Sequence, residues 1–318
     1  VVIPNQAPRL DALTDKGAVA AALSVLEQSF PDPASANLLD EAFLASKGKV
    51  IGITGPPGAG KSTLINALIA EWRRQGETVA VLAVDPSSRL SGGALLGDRV
   101  RMRTDPTDQG VMVRSIAARG RLGGLADIAF PAVTLLRALY GRVIVESVGV
   151  GQSETDIATV ADTVVLCIQP ASGDSLQFMK AGIAEIPDIA LVTKADMGGA
   201  ATRALADLKG ALSLAHRDPG MWEPECLAVS AVHDPQSLRQ LFAAFGRHEA
   251  WLEGERFTQA RRAKLLCWAE SDIQSGYGRI GLSLVKHELF SISFNKPFTS
   301  VYGLVRSLSV IRRDPQGN

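Results

Sequence analysis

Gly55-Pro56-Pro57-Gly58-Ala59-Gly60-Lys61-Ser62-Thr63 stands between the apolar run Val50-Ile51-Gly52-Ile53 and the helical pattern Leu64 to Trp72. The order is strand, glycine loop, helix, with G-x-x-x-x-G-K-S at the turn. Backbone N–H groups of such a loop can point inward around phosphate oxygens, and the helix N-terminus that follows adds partial positive charge. Lys61 would reach the β and γ phosphates and Ser62 would offer its hydroxyl to Mg²⁺. The blander reading is a glycine-rich helix start with an exposed lysine. The strand before and the helix after favour a nucleoside triphosphate site over that reading.

Outward from the loop, short runs rich in Val and Ile alternate with helical patterns from Lys49 to about Ala231. The expected strands are Val50–Thr54, Thr78–Val84, Val111–Ser115, Arg142–Ser147, Thr163–Ile168, Ile189–Thr193 and Cys226–Val229. Continuous apolar runs of that length suit strands buried on both faces. The fold class is therefore α/β, a mostly parallel, doubly wound P-loop NTPase sheet with ligands at the carboxyl ends of its strands. Residues 1–48 read as an N-terminal helical preface, 49–234 as the P-loop domain and 235–318 as a C-terminal helical extension. Residues 236–290 are amphipathic, and the basic run Arg261-Arg262-Ala263-Lys264 reads as a solvated helix face. From Ser291 the helical pattern fades, with Asn295-Lys296-Pro297 as a break. The excess apolar stripe of this extension suits either dimerisation or a packed satellite of the core.

The chain of 318 residues carries 33 Lys+Arg against 33 Asp+Glu, for no net charge. That balance argues against nucleic acid or an anionic membrane as the main partner. Three separated cysteines, Cys167, Cys226 and Cys267, point to a reducing compartment, the first two as buried small hydrophobes. With no signal sequence and no bilayer-length apolar run, a soluble cytoplasmic protein is expected.

Several carboxylates belong beside the glycine loop. Asp85 ends the second strand, where it can hold a Mg²⁺-bound water or position an attacking water. An Asx-turn before Pro86 is its structural alternative. Asp98, in the glycine-rich segment from Ser91, is a second candidate metal ligand. Arg142 to Gly149 has apolar residues, then Glu146, then a glycine three later, so Glu146 would act on Mg²⁺ through water. The Gly149 amide can bond the γ-phosphate, and Gln152 could help orient water. Thr193-Lys194-Ala195-Asp196 follows another buried strand. There Asp196 would accept from guanine N1–H and N2–H₂, which adenine does not offer as a pair, while Lys194 packs its stem over the ring. The alternative role for Asp196 is an ordinary helix N-cap. Ser230-Ala231, after the last strand, fits a backbone contact to the guanine oxygen.

Together these residues resemble the bacterial and mitochondrial GTPases that chaperone methylmalonyl-CoA mutase, also catalogued as lysine/arginine/ornithine transport kinases. The likeness spans Leu39 to Ala231. It rests on Gly52 through Thr63, on Ala83-Val84-Asp85-Pro86-Ser87-Ser88 leading through Gly92-Gly93 and Leu96-Gly97-Asp98 to Arg101-Met102, and on Arg119-Gly120 with Gly123-Gly124-Leu125. It continues in Glu146-Ser147-Val148-Gly149-Val150-Gly151-Gln152-Ser153-Glu154 and in Gly173-Asp174-Ser175-Leu176-Gln177 to Lys180. The family belongs to a branch of P-loop GTPases shared with signal-recognition-particle and nickel-insertion GTPases, and Thr193 stands where Asn is commoner. The resemblance implies GTP/GDP and Mg²⁺ as cofactors, Asp85 and Asp98 in a first switch, and residues 149–154 in a second. Asp174 to Lys180 would contact the mutase. It further implies a homodimer through the C-terminal helices that gates cobalamin delivery and protects or reactivates the mutase. No obvious arginine finger stands in the sequence, so slow GTP turnover, accelerated when the partner orders the switches, is expected.

Three other readings compete. A P-loop kinase would need an acceptor pocket and usually an adenine site. A nickel-insertion metallochaperone would want clustered Cys and His, whereas His216, His233, His248 and His287 are scattered. A partitioning ATPase would carry an extra Lys early in the loop, where this chain has Pro56-Pro57.

Overall fold

The computed structural model describes residues 8–85, 102, 104–117, 128–147, 156–171, 183–215 and 217–313. Among them are seven strands: β1 Lys49–Thr54, β2 Val79–Asp85, β3 Val111–Ala117, β4 Arg142–Glu146, β5 Thr163–Ile168, β6 Ile189–Thr193 and β7 Glu225–Val229. All pair in parallel, in the order β3-β2-β4-β1-β5-β6-β7. These are the expected strands, with small shifts at their ends. Every residue of β5 and of β6 is buried, as their unbroken apolar composition requires when both faces are covered.

Eight α-helices among the described residues accompany the sheet: α1 Lys16–Ser29, α2 Pro33–Ala45, α3 Lys61–Arg74, α4 Ala129–Leu139, α5 Gly199–Leu212, α6 Pro235–Leu252, α7 Glu255–Phe290 and α8 Pro297–Arg313. Asp-Pro starts two of them. Asp32 caps α2 through the amides of Ala34 and Ser35, and Asp234 caps α6 through those of Gln236 and Ser237. In both, proline takes the first turn, where its missing N–H would have no partner anyway. Helix α7 is broken at Gly278, whose φ of 71° lies outside the helical region.

The chain divides into two compact units, one of residues 49–126 and 140–257, the other of 1–48, 127–139 and 258–318. The first holds the sheet. On one sheet face Ile53, Val81, Val165, Cys167 and Leu191 pack with Leu64, Leu68 and Trp72 of α3 and with Leu241 and Phe245 of α6. On the other, Leu166, Ile168, Ala190 and Val192 pack with Ala201, Leu208 and Leu212 of α5. Alternate residues of β5 thus serve opposite layers, which makes the sheet doubly wound. Between α3 and α6, Trp72 meets Phe242 edge-on at 5.5 Å.

The second unit centres on an aromatic cluster in which Trp268 of α7 lies 5.3 Å from Phe130 of α4 and 5.2 Å from Phe298 of α8. Asp40 of α2 caps α8 from outside that helix, accepting from the Phe298 amide at 2.7 Å and from the Thr299 hydroxyl. Two expectations need correction here. The break falls where expected, α7 ending at Phe290, but the helical pattern does not fade beyond it: α8 runs on from Pro297, which falls in the first turn, where proline is tolerated. Nor is the basic run wholly solvated, since Arg261 donates to the Phe43 carbonyl at 2.9 Å and lies 4.5 Å from the centre of that ring. Cys167 is buried as expected, but Cys226 is only half-buried on the edge strand β7. Among the described residues no helix is long and apolar enough to cross a membrane.

Candidate nucleotide site

The glycine loop leaves the carboxyl end of β1, a central strand flanked by β4 and β5. Gly55, Gly58 and Gly60 take positive φ values of 135°, 79° and 81°. Gly55 is also fixed by contact: a side chain there would overlap the Cys167 carbonyl oxygen of β5. Ala59 is fully buried and bonds back to the Pro56 carbonyl at 3.2 Å. Gly60 is the N-cap of α3 and offers no side-chain cap, so the amino end of α3 keeps its first amides for another acceptor.

Lys61 is only 8 % exposed, and its ammonium donates to the carbonyls of Gly55 at 2.7 Å and Pro56 at 3.2 Å. Its charge is thereby held inside the loop's own curve. Ser62 points its hydroxyl at Glu146 Oε1, 3.3 Å away, at the carboxyl end of β4. Register places Glu146 beside Ile53 of β1 and Ala83 of β2. Three strands therefore converge where the sequence puts its candidate metal groups. Asp85 is the last residue of β2, with its backbone opposite Ala117. Asp98, Gly149 and Gln152 lie outside the described residues. Among the described residues no three His, Cys, Asp or Glu side chains gather as a metal cluster. A serine hydroxyl against a buried carboxylate nonetheless fits Mg²⁺, which keeps several waters and takes few protein ligands beside substrate phosphates.

The segment after β6 closes on the same loop from the other side. Thr193 is buried, and its hydroxyl donates to the Ala59 carbonyl at 2.7 Å and the Ile168 carbonyl at 3.0 Å. Lys194 adopts a left-handed backbone, φ 53° and ψ 44°, and its ammonium donates to the Gly58 carbonyl at 3.1 Å and to Gln169 Oε1 at 2.7 Å. Asp196 is exposed and does not cap α5, whose N-cap is Gly198. Its Oδ1 instead accepts the Ser230 hydroxyl at 2.6 Å. That bond, followed by its own backbone amide, holds the carboxyl below the usual range, so it stands as an ionised acceptor. Ser230 is held in turn: its amide donates to Ser237 Oγ at 3.1 Å, and its own Oγ accepts from the His233 amide at 3.3 Å. Ala231 follows at the start of that turn, half-buried.

The structure thus brings together Gly55 to Thr63, Glu146, Thr193, Lys194, Asp196, Ser230 and Ala231 along one edge of the sheet. Sequence reading overlooked Gln169 and Ser237. Gln169 is the first residue past a fully buried strand, a position that points to the ligand edge. Ser237 had no such signal beyond the turn chemistry of Asp234-Pro235.

Similarity to known proteins agrees with this geometry. The family model described as methylmalonyl Co-A mutase-associated GTPase MeaB matches residues 19–276. A Pyrococcus abyssi protein provisionally named a GTPase is 42 % identical over 256 residues, 78 % of this chain and 78 % of that one. The mouse protein named methylmalonic aciduria type A homolog, mitochondrial, is 41 % identical over 184 residues, 57 % of this chain and 44 % of its own length. A crystal structure of a LAO/AO transport system kinase superposes with a TM-score of 0.65 at 25 % identity, covering 96 % of each chain. The chain belongs to the methylmalonyl-CoA mutase-associated GTPase family.

Proposed function

We propose that this chain binds GTP at the Gly55–Thr63 loop, hydrolyses it slowly to GDP and phosphate, and serves as the nucleotide-dependent chaperone of a cobalamin-dependent acyl-CoA mutase of the methylmalonyl-CoA mutase type. The observation that carries the guanine assignment is Asp196, an ionised carboxylate oriented by Ser230 beside the glycine loop. Both oxygens of a carboxylate accept only, which suits the paired N1–H and N2–H₂ donors of guanine and leaves adenine without a match. Lys194 lends its stem as the floor for the ring.

In this reading the Lys61 ammonium exchanges the Gly55 and Pro56 carbonyls for phosphate oxygens, and the uncapped start of α3 adds its amides. Mg²⁺, when bound, offsets charge on the β and γ phosphates, with Ser62, Glu146, Asp85 and Asp98 as its protein-side groups. Asp85 and Gln152 orient the attacking water, and the Gly149 amide reads the terminal phosphate. Turnover rises when the mutase binds. The chain acts as a homodimer.

The test of the base assignment is Asp196→Asn. An amide donates where the carboxylate accepted, so affinity for GDP should fall about a hundredfold while xanthosine diphosphate, with an oxygen in place of N2–H₂, gains. Unchanged GDP affinity rejects guanine recognition by Asp196. The partner is tested by adding a methylmalonyl-CoA mutase to the GTPase assay. A mutase that neither binds nor alters turnover rejects the chaperone reading.

A further inference from the structure

We infer that Gln169 is a positioning residue for the nucleobase, acting by holding the Lys194 side chain stretched across the glycine loop; this rests on the guanine-site reading above. Lys194 is an exposed lysine, and such side chains normally sample many rotamers. Here two anchors fix the far end of its stem, the Gly58 carbonyl at 3.1 Å and Gln169 Oε1 at 2.7 Å. The near end is fixed by the left-handed backbone of Lys194, the conformation of only two non-glycine residues among those described. With both ends set, the four methylenes join the end of β6 to the loop.

Gln169 itself is well braced. It follows Ile168, whose carbonyl accepts the Thr193 hydroxyl at 3.0 Å. Its amide lies beside Gly58, where a Cβ would sit 3.9 Å from both Gln169 Oε1 and Nε2. The shorter of the two lysine anchors is therefore the one made by a side chain, on a strand end that Thr193 already ties to the loop. A glutamine accepts from the ammonium without neutralising it, so the lysine keeps its charge near the phosphates while its stem is aligned for the ring. Ordering that stem before binding spares the entropy otherwise lost when a base settles on it.

Competition binding on the full chain separates this role from plain support of the loop. A fluorescent GDP is displaced by GDP and by inorganic pyrophosphate, in wild type, Gln169→Leu, Gln169→Glu, Lys194→Met and the Gln169→Leu/Lys194→Met double variant. Gln169→Leu keeps the bulk and removes the acceptor. It should weaken GDP about fivefold, a loss at the lower end for a charge-assisted bond because the pair is exposed, and leave pyrophosphate competition unchanged. Gln169→Glu keeps the acceptor but sets a negative charge beside the loop, so it should weaken GDP and pyrophosphate alike, and Gln169→Leu should add nothing in the Lys194→Met background. Equal weakening of GDP and pyrophosphate by Gln169→Leu, or losses that add in the double variant, overturns the proposal. A wild type that binds pyrophosphate but no GDP overturns the guanine reading as well, and the two failures are told apart by that first measurement.

Discussion

Replacing Thr193 by valine tests whether the hydroxyl at the head of the Thr-Lys-Ala-Asp segment ties the base side of the site to the phosphate side. The substitution keeps shape and volume and removes one O–H. That O–H is shared between the carbonyls of Ala59, inside the glycine loop, and Ile168, at the end of β5, in a side chain only 6 % exposed. A neutral buried hydrogen bond contributes about 1 kcal/mol net, and stripping a donor from a buried carbonyl costs about 1–3 kcal/mol. The added methyl returns up to about 0.8 kcal/mol. The balance is a loss of roughly 1–2 kcal/mol, and with a urea slope near the upper end of about 3 kcal/mol/M the midpoint should fall by about 0.3–0.7 M. Because the lost bond ends on Ala59, GDP should also dissociate several-fold faster. Thr193→Ser, which retains the donor, should hold both quantities closer to wild type. Urea titration of the GDP-free protein and stopped-flow release of a fluorescent GDP measure the two effects. A Thr193→Val protein with wild-type midpoint and release rate would refute the view that this hydroxyl joins the two halves of the site.

Gly55→Ala should weaken nucleotide binding at least tenfold and destabilise the chain by about 1–3 kcal/mol or more, since φ of 135° is nearly glycine-only and its Cβ would strike the Cys167 carbonyl; calorimetric titration with GDP and urea unfolding check it. Burial pushes the Cys167 thiol up to about 12, and Cys226 is also raised by burial, whereas Cys267 is exposed. Thiolate is the reactive form, so a thiol reagent at pH 8 should find one fast group in the native protein, lost in Cys267→Ser, and three after denaturation. Asp40 is raised above its usual range, burial outweighing the hydroxyl and amides of Thr299 and Phe298. A carboxyl that holds its proton better when folded favours folding below that range and loses the contribution as pH rises through its raised value. Asp40→Asn should therefore flatten the fall in stability just above the ordinary carboxylate range, while Asp40→Ala, which removes the cap of α8, should cost about 1–2 kcal/mol at every pH.

The sheet was readable because a parallel strand covered on both faces writes an uninterrupted apolar run, and β1, β5 and β6 are such runs. The glycine loop was readable because its chemistry demands a fixed spacing. What escaped was set by contacts between residues distant in the chain. Gln169 and Ser237 matter only because Lys194 and Ser230 lie against them. Arg261 looks like one more charge in a basic run until Phe43 arrives beneath it. Helix α8 was hidden by a local cue, since Asn-Lys-Pro reads equally as the end of one helix and the start of the next. Its first turn is held by Asp40, 258 positions away in sequence from Phe298.

The two edges of the sheet solve opposite problems, and the difference sets the carboxyl edge apart independently of any motif. At the amino edge, strand starts are tied down by side chains that extend the ladder. Asp162, just before β5, accepts the Val50 amide of β1 at 2.9 Å, and Asp188, just before β6, repeats the arrangement on Val164 of β5 at 2.7 Å. His248, 1 % exposed on α6, shares a hydrogen bond with Thr163 at 2.8 Å and brings Nε2 within 3.3 Å of Asp188 Oδ1, so α6 is fixed at this end too. At the carboxyl edge the backbone takes on strain. Ala171 and Lys194, with φ of 58° and 53°, are the non-glycine residues of positive φ among those described, and they follow β5 and β6 at that edge. Conformations of this kind cost free energy and persist only where the surroundings over-determine them. A stitched amino edge provides that over-determination, because strands that cannot slide hold their far ends in one place. Loosening the amino edge, as His248→Ala would, should then be felt as weaker nucleotide binding at the opposite end of α6, where Asp234 and Ser237 support Ser230.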